Sequence, residues 1–475
     1  MKKMLICKMF LSVLLLVISG CAVGPDYKRP DAPVPASFKE LKGWREALPR
    51  DQEIKTKWWE AFGDTILNSL AEQVTVSNQS IALAESQYRQ AQALVQLARA
   101  SYFPTVSAGA AYTRTLPGPT SAGYSTVDQN QVSLSAAWEV DLWGKVRRQV
   151  ESSTASAEAS FADLQAMRLS MQSSLAQNYF QLRTLDAQKK NLEEAVKAYE
   201  KALELTQNQY KAGVAAKADV AAAQTQLKTT QAQAIDVGVQ RAQLEHAIAI
   251  LTGKPPADFS LPPVTFAPPQ IKIPVGIPSD LLERRPDIAS AERKMAAANA
   301  QIGVAKAAYY PDLTLSGSLG YASAELASLF TSPSFFWAIG PMALAATLFD
   351  AGARSAQTEQ AIAAYDGTVA FYRQTVLAAF QGVEDNLAAL RILDEEAQMQ
   401  NQAVNSAHES LTLTTNQYRA GTVSYLNVVT AQTIALTNER TAITISGQRL
   451  SAAVLLVTGL GGGWSTSEAS GVNQK

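Results

Sequence analysis

Leu205-Thr206-Gln207-Asn208-Gln209-Tyr210-Lys211-Ala212-Gly213 returns later in the chain as Leu413-Thr414-Thr415-Asn416-Gln417-Tyr418-Arg419-Ala420-Gly421. Two further pairs keep an offset of about 207 residues: Ala98-Arg99-Ala100-Ser101-Tyr102-Phe103-Pro104 with Ala305-Lys306-Ala307-Ala308-Tyr309-Tyr310-Pro311, and Leu251-Thr252-Gly253 with Val457-Thr458-Gly459. One offset shared by separate segments marks a tandem duplication, so the fold is one unit built twice. Proline follows the same symmetry, with none from 120 to 254 and none from 342 to the C-terminus. Each half therefore holds one long stretch free of helix breakers.

In the first such stretch, Leu164, Arg168, Met171, Leu175, Asn178, Leu182, Leu185, Lys189, Leu192, Val196, Tyr199, Leu203, Thr206 and Tyr210 are spaced by steps of four and three. This is a mostly apolar heptad seam and predicts a coiled-coil helix over 145–210. At ~1.5 Å per residue such a helix is roughly 100 Å long, more than an ordinary compact domain holds. Flanking helices are expected over 64–101 and 214–252, so one long helix lies beside two shorter ones. The second half repeats the scheme over 288–308, 353–418 and 423–457.

Ahead of each long helix the period changes to two. Val132, Leu134, Ala136, Trp138 and Val140 alternate with Gln131, Ser133, Ser135, Ala137 and Glu139, and Leu313, Leu315, Gly317, Leu319 and Tyr321 alternate with Asp312, Thr314, Ser316, Ser318 and Gly320. Two less regular strands are expected over 105–113 and 335–348. Period alone fits a small soluble sheet as well as it fits tilted membrane strands of about ten residues. Export favours the membrane. Lys2, Lys3 and Lys8 precede an apolar run over 9–18 that ends in Ile18-Ser19-Gly20-Cys21, a signal peptide with a lipidation cysteine at Cys21. Residues 1–20 are then removed with Cys7, leaving a single thiol and no disulfide within one subunit. Four strands with open edges cannot stand alone in lipid, where every backbone group must be paired, so the chain has to oligomerise to close a barrel. Two copies give eight strands and three give twelve.

Composition narrows the function. Lys plus Arg is 41 against Asp plus Glu 42, a net charge of -1, which excludes the basic footprint of a nucleic-acid binder. Two histidines, His246 and His408, and two cysteines leave almost no inventory for a metal cage or a nucleophile-histidine pair. No enzyme activity and no cofactor are expected.

Several strings occur together and in order. They are Gly24-Pro25-Asp26-Tyr27-Lys28-Arg29-Pro30, Trp58-Trp59 with Phe62-Gly63-Asp64, and Trp138-Glu139-Val140-Asp141-Leu142-Trp143-Gly144-Lys145-Val146-Arg147-Arg148. Ile277-Pro278-Ser279-Asp280-Leu281-Leu282-Glu283-Arg284-Arg285-Pro286-Asp287-Ile288, Leu348-Phe349-Asp350-Ala351-Gly352, Phe380-Gln381-Gly382-Val383-Glu384-Asp385 and Gly461-Gly462-Gly463-Trp464 follow. Over essentially its whole length the sequence resembles the TolC-like outer membrane factors, in the NodT-type lipoprotein branch. The resemblance implies an α+β membrane protein: a homotrimeric twelve-stranded outer-membrane β-barrel, four strands per chain, continued by a long periplasmic α-helical coiled-coil barrel. It implies a passive exit duct, fed by an inner-membrane efflux pump through a periplasmic adaptor, with outer-membrane lipids around the barrel. The expected division is 1–20 signal peptide, 21–63 lipidated linker, 64–253 first repeat, 254–286 proline-rich equatorial connector, 287–459 second repeat and 460–475 tail.

By the same resemblance, Tyr210, Lys211, Ala212 and Gly213, with Tyr418, Arg419, Ala420 and Gly421, form the periplasmic tip that meets the adaptor and closes the pore. A plain helix reversal accounts for the same residues. Many relatives carry Asp-Ala-Gln-Arg after the second turn as part of the gate; here the run is Thr430-Ala431-Gln432-Thr433, so that charged lock is missing. Asp219 reads as a helix-start carboxylate. The Glu283-Arg284-Arg285-Pro286-Asp287 cluster reads as packing and capping, and the two histidines as helix-surface residues. The alternatives from other classes are a periplasmic adaptor, which would show one hairpin between lipoyl-like halves, and a structural coiled-coil lipoprotein.

Overall fold

The computed structural model describes residues 22–40, 57–116, 126–264 and 285–462. The signal stretch, Cys21, most of the proline-rich connector and the tail from 463 lie outside the described residues. The elements in chain order are α1 (Thr65–Ser77), α2 (Gln79–Ala100), β1 (Thr105–Thr115), β2 (Val127–Val140), α3 (Lys145–Lys211), α4 (Lys217–Leu251), α5 (Pro286–Ala307), β3 (Asp312–Ser323), β4 (Phe335–Ala345), α6 (Ala353–Arg419) and α7 (Tyr425–Gly459). Both long helices run 67 residues.

One expected helix is two. The segment 64–101 breaks at Asn78, whose backbone is extended with φ -71° and ψ 126°. The Asn78 side chain accepts from the Ser80 and Ile81 amides at 2.9 and 3.1 Å, capping α2, while its amide nitrogen donates to the Leu251 carbonyl at 2.9 Å. An asparagine cap satisfies otherwise orphaned amides, and the α4 contact fixes where the break falls. The start of α1 is capped likewise by Asp64, which accepts from the Ile66 and Leu67 amides.

The described residues form two compact units, one drawn from residues 22–31, 87–161 and 290–373, the other from 32–86, 162–289 and 374–462. The first holds a four-stranded antiparallel sheet in the order β1-β2-β3-β4. Ala110 pairs with Val132, Leu134 with Leu319, and Leu319 with Trp337, with a register shift between Leu315 and Gly317. Apolar residues of the two edge strands are exposed, while Val132, Trp138, Leu313 and Leu315 of the central strands are half-buried. Trp337, Ile339, Met342 and Leu344 of β4 are 65 to 88% exposed, and β1 is exposed throughout. A sheet that exposes the apolar residues of its edge strands and leaves both edges open is unsuited to water and suited to closure in lipid. Beside it, helix packing uses alanine: Ala155, Ala296 and Ala297 cluster with Tyr27, and small side chains allow the helices close approach.

The second unit contains the greasy part of the heptad seam. Leu185, Leu192 and Tyr199 of α3 pack with Leu227 and Val237 of α4 and Leu436 of α7. A polar clamp lies beside them. Arg183 and Asp186 are buried side by side, with Nη1 donating to Oδ2 at 2.9 Å, and Arg241 donates from Nε to the other Asp186 oxygen at 2.7 Å. The clamp holds the chain that leaves α4: Arg183 donates to the Pro262 carbonyl at 2.9 Å, Arg241 to the Leu261 carbonyl at 2.5 Å, and Glu245 accepts from the Leu261 amide at 2.5 Å. The Arg183 guanidinium also stacks over Tyr179, whose hydroxyl donates to Asp64 at 2.6 Å.

Candidate functional site

Both expected tip turns are helix C-terminal reversals closed by glycine. In the first, Val214 N donates to the Gln209 carbonyl and Gly213 N to the Tyr210 carbonyl, each at 2.9 Å; in the second, Thr422 N donates to Gln417 and Gly421 N to Tyr418, each at 3.0 Å. This double bond pattern demands a left-handed residue, which glycine supplies at φ 75° and 76°. A Cβ added at either glycine would meet nothing within 4 Å. Lys211, Ala212 and Gly213, and Arg419, Ala420 and Gly421, are all exposed.

The two tyrosines in these matching sequences do different things. Tyr210 faces solvent, 45% exposed. Tyr418 is half-buried, donates its hydroxyl to Gln209 Oε1 at 2.6 Å, and lies edge-on to Tyr425 with ring centroids 5.2 Å apart. Tyr425 packs with Ala223 and Val428, and burial pushes its phenol up to about 12. Farther up, Tyr199 donates to the Gln432 carbonyl at 3.3 Å, and burial raises its phenol too. The two hairpin ends of one chain are thus joined by neutral hydroxyl, amide and ring contacts. Sequence reasoning missed Gln209, Tyr199 and Tyr425. Thr430 and Thr433 are exposed with their hydroxyls bonded back to their own helix. Asp219 accepts from the Ala216 amide at 3.2 Å, a helix-start role.

The chain just after Cys21 is tied down. Val23 N donates to the Trp143 carbonyl at 3.0 Å, where β2 passes into α3, and Trp143 stacks on Tyr310 with centroids 4.9 Å apart. Buried Arg148 donates to the Val23 carbonyl at 3.3 Å and to Asp26 at 2.8 Å, and Arg29 to the Tyr372 hydroxyl at 2.9 Å. Gly24 crosses Gly303 so closely that a Cβ on Gly24 would strike its backbone. In the other unit the same linker continues with Glu384 accepting from the Lys39 and Glu40 amides at 2.6 and 2.9 Å.

Elsewhere the polar groups are engaged in structure. Arg285 pairs with Asp287 at 2.6 Å and donates to the Gly459 carbonyl at 2.8 Å, packing and capping α5. These two charges line a cavity of about 520 Å³ with Ser173, Gln177, Asn386 and Thr458, and neutralise each other there. His246 is exposed, and His408 donates to Glu439 at 2.7 Å. Among the described residues no group of three or more His, Cys, Asp or Glu could hold a metal ion.

A sheet with exposed apolar edge strands and open edges, joined to two 67-residue helices, one in each repeat, defines an outer-membrane channel with a helical extension. Residues 70–254 and 277–462 match the outer membrane efflux protein family. The chain is 32% identical over 471 residues to the solvent efflux pump outer membrane protein SrpC of Pseudomonas putida, covering 96% of this chain and 98% of that one. It is 31% identical over 488 residues to the pyoverdine export outer membrane protein OpmQ of Pseudomonas aeruginosa, covering 97% and 99%. Among solved structures it is similar to the open state of the MtrE outer membrane channel of Neisseria gonorrhoeae, with a TM-score of 0.81, 28% identity and coverage of 93% and 98%. The chain belongs to the outer membrane efflux protein family. It is an outer-membrane channel of an efflux system, its sheet in the membrane and its long helices in the periplasm.

Proposed function

We propose that three copies of the chain close one twelve-stranded barrel and form a passive exit duct for small molecules. An inner-membrane pump delivers the cargo through a periplasmic adaptor that meets the Tyr210 to Gly213 and Tyr418 to Gly421 turns, and no cofactor or catalytic step is involved. The observation that carries this reading is the four-stranded sheet with both edges open and the apolar residues of its edge strands exposed. In lipid those edges must be paired, and neighbouring copies supply the missing strands. The relatives named above export cargoes as different as solvents and a pyoverdine, which suits a duct that leaves selection to the pump. In this reading residues 64–253 and 287–459 are the two repeats, 254–286 is the equatorial connector, and Cys21 carries the lipid. The strap over residues 23–29 holds the start of the mature chain beside Trp143 and Tyr310, aromatic residues of the kind that favour a membrane interface.

Deleting the chain from a host that carries it tests the function. Intracellular accumulation of at least one exported compound is expected to rise, and the chain supplied in trans should restore export. Unchanged accumulation across a broad panel of pump substrates would contradict the proposal.

A further inference from the structure

All four passages between sheet and helices lie along one end of the sheet, since Thr105 pairs with Ala137, Val140 with Leu313 and Asp312 with Ala345. Large apolar residues stand exposed at that end, Phe103 at 70%, Leu348 at 94% and Phe349 at 86%. Both copies of the repeat also set a cation three residues before an aromatic pair and a proline: Arg99 before Tyr102-Phe103-Pro104, and Lys306 before Tyr309-Tyr310-Pro311. Aromatic rings backed by cations suit the boundary between hydrocarbon and headgroups.

The charges at this end are unevenly spent. The carboxylates are held by the protein: Asp141 accepts from the Val146 and Arg147 amides at 3.0 and 2.9 Å, Asp350 pairs with Arg354 at 2.5 Å, and Glu139 and Asp312 pair with Lys145 at 2.9 and 3.6 Å. Three cations are not so held. Arg99 and Arg147 are exposed and Lys306 is half-buried, and among the described residues none of them has an ion-pair partner. Helix polarity accounts for two of the three, because Arg99 and Lys306 stand in the last turns of α2 and α5, at the negative ends of those helices. Arg147 stands in the first turn of α3, the positive end, which holds no acidic residue, so its own helix disfavours its charge. Its neighbour Arg148 is compensated by Asp26 and Glu151 at 2.8 Å each. Burial raises the phenol of Tyr102, which lies outside the strands, and Asp141 adds to the rise, while Arg147 and Arg99 lower it; both guanidiniums therefore stand near one ring.

The N-terminal strap marks the same level. Ala22 packs so closely on Gly144 that a Cβ on the glycine would strike it, so a lipid on the preceding Cys21 enters the membrane beside the first turn of α3. We propose, resting on the duct reading with its lipid on Cys21, that Arg99, Arg147 and Lys306 form a docking surface for anionic phospholipids of the periplasmic leaflet. The guanidiniums take the headgroup phosphate, which matches their paired donors, and Phe103 and Phe349 meet the start of the acyl chains. The bound headgroup supplies the anion that Arg147 lacks within its own chain.

The test is lipid retention by the detergent-purified full-length protein, incubated with equal amounts of phosphatidylglycerol and phosphatidylethanolamine and read by native mass spectrometry. The wild-type oligomer should retain phosphatidylglycerol several-fold over phosphatidylethanolamine, and millimolar inorganic phosphate should not displace it. The combined variant Arg99→Gln, Arg147→Gln and Lys306→Gln should bring the two lipids close to parity in an oligomer of the same size. Arg114→Gln, at the far end of β1 and paired with Asp128, should leave the preference as it was. Equal retention of both lipids by the wild type, or a preference that survives the combined variant, overturns the inference. Displacement by inorganic phosphate overturns it as well, since the cations would then hold a free anion. So does dissociation of the combined variant's oligomer, which would mean that the three cations pair with a neighbouring copy. A wild type that forms no oligomer and stays soluble without detergent instead overturns the duct reading itself.

Discussion

The Tyr418 hydroxyl donates to Gln209 Oε1 at 2.6 Å, and this bond joins the ends of the two long helices of one chain. The partners come from opposite copies of the duplicated motif, yet the bond is one-sided, because Tyr210, the counterpart of Tyr418, faces solvent. Both copies carry Asn-Gln-Tyr here, so the asymmetry comes from what the tyrosine packs against: Tyr418 meets Tyr425, where the first copy has Lys217. At the tip itself the contacts between the two hairpins are neutral: the Tyr418 hydroxyl on Gln209 and the Tyr418 ring against Tyr425.

Tyr418→Phe should loosen the tip without unfolding it, since a single hydrogen bond contributes on the order of 1 kcal/mol. Resting conductance in bilayers should rise. Gln209→Leu should reproduce the effect, and the double variant should add little, because both changes remove one interaction.

Gly213→Leu and Gly421→Leu each place a side chain at a left-handed φ but into open space. The strain costs about 1 kcal/mol, so thermal stability should fall only slightly. Cells carrying either variant should lose efflux. Normal drug susceptibility would contradict contact between the tip and an adaptor.

Asp186→Ala should be far more costly. It leaves Arg183 and Arg241 without their shared buried carboxylate, a loss of about 3 to 5 kcal/mol for broken buried ion pairs. The denaturation midpoint of the detergent-solubilised protein should drop accordingly, and proteolysis near Leu261 should quicken.

Burial pushes the Tyr179 and Tyr425 phenols up to about 12. In the unfolded chain these groups lose their protons near the ordinary value of about 10, while the folded protein still holds them. Above that pH the folded state binds more protons, so stability falls as pH rises from about 10 towards 12. Thermal midpoints recorded between pH 8 and 11.5 should fall steeply only above 10, and Tyr425→Phe should flatten the decline.

Cys21→Ser should abolish lipidation while oligomers still form, because the barrel itself holds the protein in the membrane. Mass spectrometry of the N-terminus and native gels check the two halves of this expectation. Complete loss of assembled barrels would contradict it.

The heptad seam, the shared absence of proline and the period-two segments made the long helices and the sheet legible, since each is a local pattern repeated many times. Asn78 was not legible, because Asn-Gln-Ser-Ile reads as helix interior until the Leu251 carbonyl draws in the asparagine side chain. The tip was half legible. Its glycine turns follow from two matching strings, but the same strings make Tyr210 and Tyr418 equivalent, and only packing against Tyr425 separates them. The polar clamp and the N-terminal strap escaped notice because Arg183 meets Pro262, and Arg148 meets Asp26, only through long-range folding.

Three copies of the chain are proposed to share one barrel and one periplasmic extension. The direct measurement is the detergent-corrected mass of the extracted mature protein, combined with low-resolution electron microscopy. Three chains in one particle, with a rod on the order of 100 Å projecting from a membrane ring, are expected from the helix rise. A monomer that stays soluble without detergent and shows no ring would contradict the account.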